Sequence, residues 1–160
     1  MVNHVKGNLL DSNCEYICHQ VNCQGVMGSG IAKQIRERFP EVYDHYVRLH
    51  KWFMKRFLDP SSMLGTIDIV PLNDFSSCVI NMYSQDNYGY DGSRFTSYDA
   101  FYDALKDIRE HIPAGKTIGF PKNIGCGLGG ANWNVISTMI EEVLGKDYEV
   151  YIYEYEPGVK

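Results

Sequence analysis

A glycine-rich segment, residues 22–32 with the sequence NCQGVMGSGIA, constrains the fold of this chain more than any other feature. It follows an apolar run, residues 16–21, and precedes residues 34–39, which have helical periodicity. This order predicts a strand, a glycine-rich turn and the N-terminus of a helix. Such a turn directs backbone N–H groups and the positive end of the helix dipole toward one point, which suits a phosphate group.

A second glycine-rich segment, residues 123–130 with the sequence NIGCGLGG, lies much later in the chain. It also separates a predicted strand from a predicted helix. Two such loops in one small domain predict a single ligand with two phosphates held between them.

The rest of the sequence alternates between strand and helix patterns. Strands are predicted over residues 2–6, 16–22, 63–70, 78–83, 117–120 and 149–155. Helices are predicted over residues 29–39 and 41–57, after a capping box at residues 96–99, and after Asn132. This order predicts an α/β fold, a three-layer α/β/α sandwich around a mixed sheet of about six strands. The length suits one domain, residues 1–160.

Composition argues against several classes of protein. Hydrophobic residues make up 44% of the chain, which argues against disorder, and the apolar runs are too short to span a membrane. The N-terminus lacks the apolar stretch of a signal peptide. The odd set of five cysteines has no framework spacing, which indicates free thiols in a reducing cytosol. We therefore expect a cytoplasmic monomer that has no membrane partner.

The net charge of −5 argues against a groove for long nucleic acid. Basic residues concentrate only between residues 33 and 56, where Glu37, Glu41 and Asp44 accompany them. This mixture is typical of a solvated helix face.

Four segments together resemble the macrodomain family, the ADP-ribose-binding fold. Residues 5–10 (VKGNLL) resemble its first strand and adenine-contacting turn, and residues 17–22 (ICHQVN) resemble its second strand, which ends in an asparagine that meets the distal ribose. Residues 25–32 and 124–130 resemble its two phosphate loops. The His-x-x-Asn of the second segment resembles the ADP-ribose 1''-phosphate phosphatase branch. Residues 124–128, with the tryptophan helix that follows, resemble the terminal ADP-ribose protein glycohydrolase branch.

The sequence departs from the family pattern at three positions. Asn8 stands where the family usually has an aspartate, so a bond to the adenine amino group loses its charge assistance. Residues 83–86 (YSQD) lack the lysine nucleophile of the glycohydrolase branch, and the region of Gly129 lacks its aspartate. Both losses argue against a lysine-adduct mechanism.

The resemblance implies ADP-ribose or a derivative as the ligand, with ADP-ribosylated macromolecules as further partners and with no cofactor or metal. Asn8 and Leu9 would contact adenine, and Tyr153 would either stack on it or pack in the core. Asn22 would orient the distal ribose, unless its amide only satisfies the turn backbone. The implied contacts of the phosphates and distal ribose are Gly25, Val26, Met27, Gly28, Ser29, Gly30, Ile31, Gln85, Ile124, Gly125, Cys126, Gly127, Leu128 and Gly129.

Three residues are candidates for catalysis. Strand alternation puts His19 on the face opposite Asn22, so a core histidine and the acid–base group implied by the phosphatase branch both stay open. Residues 84–95 form a polar, aromatic loop, interpreted either as a mobile surface loop or as a flap over the distal ribose. Asp86 or Asp91 of that loop would then be the base. No arginine follows Cys126 to hold a phosphoryl group, so packing is the expected role of Cys23 and Cys126.

These features predict a hydrolase that acts on the terminal ribose of ADP-ribose derivatives, with ADP-ribose 1''-phosphate as the first substrate. One alternative is removal of ADP-ribose from proteins or nucleic acid, or of acetyl from O-acetyl-ADP-ribose. Another is a non-catalytic reader of ADP-ribose.

Overall fold

The computed structural model describes residues 1–156, and residues 157–160 of the predicted single domain lie outside the described residues. Six strands run over β1 (Val2–Lys6), β2 (Tyr16–Val21), β3 (Ile67–Pro71), β4 (Cys78–Tyr83), β5 (Thr117–Pro121) and β6 (Glu149–Glu154). The helices are α1 (Gly30–Arg38), α2 (Pro40–Lys55), α3 (Tyr98–His111) and α4 (Trp133–Leu144). Among these residues, no helix combines the length and the apolar character needed to cross a membrane.

The six strands form one sheet in the order β1-β6-β5-β2-β4-β3. Every neighbouring pair is parallel except β3 and β4, which run antiparallel, so the sheet is mixed. The central strands read as apolar runs because both of their faces are covered.

Two hydrophobic clusters cover the two faces of the sheet. Helices α3 and α4 bury Phe101, Leu105 and Ile140 against one face, whereas α1 and α2 contribute Ile35 and Val42 to the other. The prediction of a three-layer α/β/α sandwich with about six strands is confirmed.

Local sequence signals set the starts of α3 and α4. Ser97, one residue after the first residue of the predicted capping box, caps α3 by accepting a hydrogen bond from the amide of Ala100, because the Thr96 hydroxyl bonds the Gly125 carbonyl instead. Asn132 caps α4 through the amide of Asn134. The strand predicted over residues 63–70 instead begins at Ile67, because Pro60–Met63 form a 3-10 turn that the side chain of Asp59 caps.

Candidate ligand-binding groove

The groove arises where the parallel strands β2 and β5 meet at the centre of the sheet. They pair only at Tyr16 with Ile118 and at Ile17 with Gly119, whereas β2 goes on pairing with β4 up to Val21. The chain leaves β2 toward α1 on one face of the sheet and leaves β5 toward α4 on the other. A crevice therefore opens beyond the carboxyl ends of β2 and β5, which is where open α/β sheets bind ligands.

A cavity of about 450 Å³ fills this crevice. We call residues 22–29 loop 1, residues 122–131 loop 2, and the cavity between them the groove. Of the predicted ligand contacts, those that line it are Asn8, Leu9, Ser29, Gly30, Ile31, Gln85, Ile124, Gly125, Gly127, Leu128, Gly129 and Tyr153.

A smaller cavity of about 90 Å³, the distal recess, adjoins the groove. The two cavities share wall residues, which are Gln20, Ser29, Ala32, Gln85 and Leu128. Asn22, Val26 and Gly28 line the distal recess, and Tyr88 and Tyr90 border it, where the flap was expected.

Both loops present backbone N–H groups that have no partner within residues 1–156. In loop 2 these are the amides of Gly127, Leu128 and Gly129. At loop 1 they are the amides of Gly30 and Ile31, which open α1 and have no carbonyl one turn earlier to bond. The side chain of Ser29 at the N-cap makes no capping bond. Unpaired amides at a helix N-terminus and in a facing loop form a binding place for an anion.

Asn22 fixes the shape of loop 1. Its Oδ1 accepts from the amide of Gln24 at 2.9 Å, and its Nδ2 donates to the carbonyl of Val26 at 2.8 Å. The hydroxyl of Tyr46 lies 2.6 Å from the Asn22 carbonyl and 2.7 Å from Oδ1, which ties the loop to α2. The amide therefore satisfies the turn backbone, and with 7% of its surface exposed the residue also lines the distal recess.

A polar network under loop 2 fixes the position of that loop. Gln20 donates from Nε2 to Gln85 Oε1 at 2.6 Å and to Thr96 Oγ1 at 2.8 Å, and it accepts from Ser84 Oγ at 2.6 Å. Thr96 Oγ1 in turn donates to the carbonyl of Gly125 at 2.8 Å. The network joins β2, residues 84–96 and loop 2 into one unit.

Loop 2 packs on this network so closely that two of its positions require glycine. A Cβ on Gly125 would lie 2.9 Å from Gln20 Oε1, and the φ of +75° disfavours any side chain there. A Cβ on Gly129 would collide with Thr96 Oγ1 and lie 2.6 Å from the Gly125 carbonyl. The absence of side chains brings the loop amides close to a ligand.

Asn8 and Tyr153 both line the groove and not the distal recess, and we call their part of the groove the proximal end. The Oδ1 atom of Asn8 accepts from the amide of Leu10 at 3.0 Å, which fixes the orientation of the amide group. Lys122 borders the same end, and its Nζ pairs with Glu154 Oε2 at 3.5 Å.

His19 lies in the core and does not line the groove or the distal recess. It is 0% exposed, and its Nε2 lies 2.6 Å from Asn81 Oδ1. Burial lowers the pKa of His19 from 6.5 to about 4. This placement favours a core histidine over an acid–base group in contact with a ligand.

Neither candidate aspartate lines the groove or the distal recess. Asp86 Oδ1 accepts from Ser61 Oγ at 2.5 Å and from Gln24 Nε2 at 3.2 Å, so this carboxylate faces loop 1 and the 3-10 turn Pro60–Met63. Asp91 is exposed and accepts from the amide of Ser93 at 2.9 Å. Contact between either carboxylate and a ligand requires another arrangement of residues 84–95.

Three further predicted contacts do not line these cavities. Gly25 packs against His50, Met27 is buried in the core, and Cys126 directs its thiol to the carbonyl of Ile124 at 3.4 Å. Burial raises the pKa of Cys126 above 9.0 and that of Cys23 to about 12. Both thiols are therefore protonated near neutral pH, in agreement with packing roles.

Sequence reasoning missed several residues of the groove wall, chiefly Gln20, Gln34, Lys122 and Asn123. Gln20 shares a strand face with Asn22, and Lys122 and Asn123 directly precede the glycines of loop 2. Asn123 already lies in the segment 123–130, and extending each glycine segment by two residues toward its strand would have added Gln20 and Lys122.

No model of a known protein family matches the chain. The DNA ADP-ribosyl glycohydrolase of Thermus aquaticus is 27% identical over 157 residues, which cover 98% of this chain and 41% of that protein. The ADP-ribose 1''-phosphate phosphatase of Scheffersomyces stipitis is 36% identical over 77 residues, covering 44% of this chain and 43% of that protein. The chain thus spans about two fifths of the length of each relative.

The fold has similar solved structures as well. The macrodomain of Mycobacterium tuberculosis DarG superposes with a TM-score of 0.77 at 25% identity, covering 96% of this chain and 97% of that one. The chain has the fold of a macrodomain, and its similarity to these relatives and to this structure supports membership of the macrodomain family.

The burial of His19 predicts a pH dependence of stability. The pKa is about 4 in the folded chain and 6.5 in the unfolded chain, so the unfolded chain binds the proton first and stability is lost as the pH falls below 6.5. From pH 7 to pH 5, the free energy of unfolding of the wild type should fall by about 2 kcal/mol more than that of His19→Gln, as measured by urea unfolding at the two pH values. An equal loss in both proteins would contradict the buried neutral histidine.

The close packing of loop 2 predicts a difference between two neighbouring glycines. Gly129→Ala should lower the free energy of unfolding by about 2 kcal/mol because its Cβ collides with Thr96 Oγ1. Gly127→Ala is the matched control, since a Cβ there has no atom within 4 Å and should change stability by less than about 0.5 kcal/mol. Thermal unfolding of both variants measures the difference, and equal Tm values would show that loop 2 is not held this tightly.

Proposed function

We propose that this macrodomain is a hydrolase that removes a substituent from the distal ribose of ADP-ribose derivatives, with ADP-ribose 1''-phosphate as the first substrate. The observation that carries the proposal is the set of unpaired backbone amides on two loops that face each other across one groove. The groove has room for a base at the Asn8 end and adjoins a recess that suits a ribose. The hydrolase names of the relatives support the chemical class.

Backbone amides would bind the diphosphate without help from side-chain cations. The chain carries a net charge of −5, and Lys122, which borders the groove, is paired with Glu154. The α1 dipole and the amides of loop 2 supply positive potential at fixed positions, which favours an anion even in an acidic protein.

The adenine would lie between Asn8 and Tyr153. Asn8 Oδ1 already accepts one hydrogen bond from Leu10, so it offers one remaining lone pair to the adenine amino group. The Tyr153 ring, which lines the same end, provides a surface on which a base can stack.

The distal recess constrains the chemistry that this site could perform. Within residues 1–156, its lining contains no carboxylate, histidine or lysine. The site therefore favours a substrate whose own leaving group can take up the proton that the attacking water releases, as a phosphate does when it departs as hydrogen phosphate. Asn22 and Gln85 carry the amide groups that could position the attacking water, and the loop amides could stabilise the negative charge that develops on the leaving phosphate.

Removal of ADP-ribose from nucleic acid is the second candidate. The match to the Thermus aquaticus DNA ADP-ribosyl glycohydrolase covers 98% of this chain, whereas the match to the phosphatase covers 44%. The distal recess is bordered by the exposed rings of Tyr88 and Tyr90, so a bulky acceptor could extend into solvent. The lack of a lysine at residues 83–86 means that water would have to attack directly.

Release of inorganic phosphate from ADP-ribose 1''-phosphate tests the proposal. The wild type should release phosphate. Asn22→Ala should release it about tenfold or more slowly, because loop 1 no longer holds the distal ribose in a reactive position. His19→Gln should keep turnover within about threefold, since the residue lies outside the groove.

Two other results would contradict these assignments. ADP-ribose binding without phosphate release would reject the phosphatase and lead to assays with ADP-ribosylated oligonucleotides and proteins. A loss of turnover in a folded His19→Gln protein would show that the histidine acts in catalysis despite its burial.

Tyr153 provides a test of the base-binding end. Tyr153→Ala should weaken the Kd for ADP-ribose by about tenfold through lost stacking, as measured by calorimetry. Tyr151→Ala is the matched control, because Tyr151 shares the strand and the half-buried state but does not line the groove. Equal effects of the two substitutions would place the base elsewhere.

A further inference from the structure

The C-terminal half of α2 and the turn after it are strongly basic. Residues 45–58 (HYVRLHKWFMKRFL) contain four lysines and arginines and no aspartate or glutamate, although the whole chain has a net charge of −5. The four cations are exposed, and none of them forms a salt bridge with any of residues 1–156; they are Arg48, Lys51, Lys55 and Arg56.

Aromatic rings are exposed among these cations. Trp52 lies one helical turn from both Arg48 and Arg56, and the Arg56 guanidinium lies 4.2 Å from the centre of its ring. Trp52 is 45% exposed and Phe57 is 97% exposed. We call these six residues, Arg48, Lys51, Trp52, Lys55, Arg56 and Phe57, the basic–aromatic surface.

Phe57 is held in a conformation that suits glycine. Its φ is +55°, and its amide donates to the Met54 carbonyl while the amide of Leu58 donates to the Phe53 carbonyl. This bonding pattern is a helix-terminating motif whose left-handed position is usually a glycine. A phenylalanine there is disfavoured, and its ring is almost fully exposed, so no packing within the described residues offsets the strain.

The surface adjoins the distal recess through α2. His50, on the same helix, packs against Gly25 of loop 1, and a Cβ on Gly25 would lie 2.9 Å from its Cγ. Asn22 and Val26, which flank Gly25 in that loop, line the distal recess. Helix α2 thus packs against loop 1 and carries the basic–aromatic surface at its C-terminal end.

We propose that the basic–aromatic surface binds single-stranded nucleic acid. The four cations would contact successive phosphates, and bases would stack on Trp52 and Phe57. An exposed base edge is not required, since any base has a face that stacks, so the surface would bind with little sequence preference. This binding does not depend on hydrolysis in the groove.

The arrangement of cations and rings favours nucleic acid over a lipid surface. A helix that lies on a membrane separates its cations from an apolar face, and that apolar face enters the lipid. In α2 the apolar face is already buried in the core through Val42 and Tyr46, whereas Trp52 is 45% exposed and lies one helical turn from Arg48 and Arg56. The solvated, mixed-charge face that the sequence predicts covers residues 33–56, and its acidic members Glu37, Glu41 and Asp44 all precede residue 45.

Fluorescence anisotropy with a labelled oligothymidylate, titrated with the whole chain at several salt concentrations, tests the proposal. The slope of log K against log salt should be about −3, as expected for four phosphate contacts to a single strand. Lys51→Ala with Lys55→Ala should reduce the magnitude of this slope by about 1.4.

Phe57→Gly separates binding from folding. Glycine relieves the left-handed conformation, so Tm should rise by about 2–4 °C while affinity for the oligonucleotide falls by about tenfold. Release of phosphate from ADP-ribose 1''-phosphate should not change, since Phe57 lines neither the groove nor the distal recess. A variant that is more stable, equally active in the groove and weaker in binding cannot be explained by misfolding.

Tyr102→Ala with Lys106→Ala is the matched control. These residues form another exposed ring–cation pair, with 4.9 Å between the Lys106 Nζ and the Tyr102 ring centre, on α3 at the opposite face of the sheet. This double variant should bind the oligonucleotide like the wild type.

Several results would overturn the proposal. These are binding that is insensitive to salt, or equal affinity in the wild type, Trp52→Ala and Phe57→Gly. Binding to phosphatidylserine vesicles without binding to the oligonucleotide would make the surface a lipid contact. A dimer in sedimentation that Phe57→Gly dissociates, without oligonucleotide binding, would make it a contact between two copies of the chain.

Discussion

The parallel pairing of β2 with β5 is the constraint on which the rest of the site depends. Because the two strands run in the same direction, loop 1 and loop 2 leave the sheet at the same edge, although many residues separate them in sequence. Because their pairing stops at Ile17 and Gly119, the strands leave a gap between them, and the next connections run to opposite faces. The unpaired amides of both loops can therefore face one ligand, which neither loop could bind as tightly alone.

Buried polar bonds act together with apolar packing to hold the two loops in place. Gln20 extends from β2 into the gap and bonds Ser84, Gln85 and Thr96, so residues 84–96 and loop 2 share one support. Each of these bonds is hard to lose, because an unpaired polar atom in a buried place is costly. His19 behaves differently, since Asn81 occupies only its Nε2 and Nδ1 has no partner within residues 1–156. That unpaired nitrogen is consistent with a neutral ring in the core.

The sequence predicted most of the fold and the binding loops because both follow from local patterns. Asn132 marked the start of α4 through its own side chain, and the capping box at residues 96–99 placed the start of α3 to within one residue. Residues 84–95 have no hydrophobic periodicity. Nothing in the sequence therefore indicated that Asp86 bonds Ser61 and Gln24, away from the distal recess. Gln20 was missed for a similar reason, because its importance comes from three partners distant in the chain.

The order of charges along α2 admits a simpler explanation than a binding surface, but that explanation is incomplete. Acidic residues near the start of a helix and basic residues near its end both interact favourably with the helix dipole, and this accounts for Glu41 and Lys55. The dipole acts mainly within the first and last turns, so it does not account for Arg48 and Lys51, which lie before the last turn. Nor does it explain why Phe57 occupies a left-handed position with its ring in water. A net charge averaged over the chain conceals this segment, because the acidic residues that balance it lie elsewhere on the molecule.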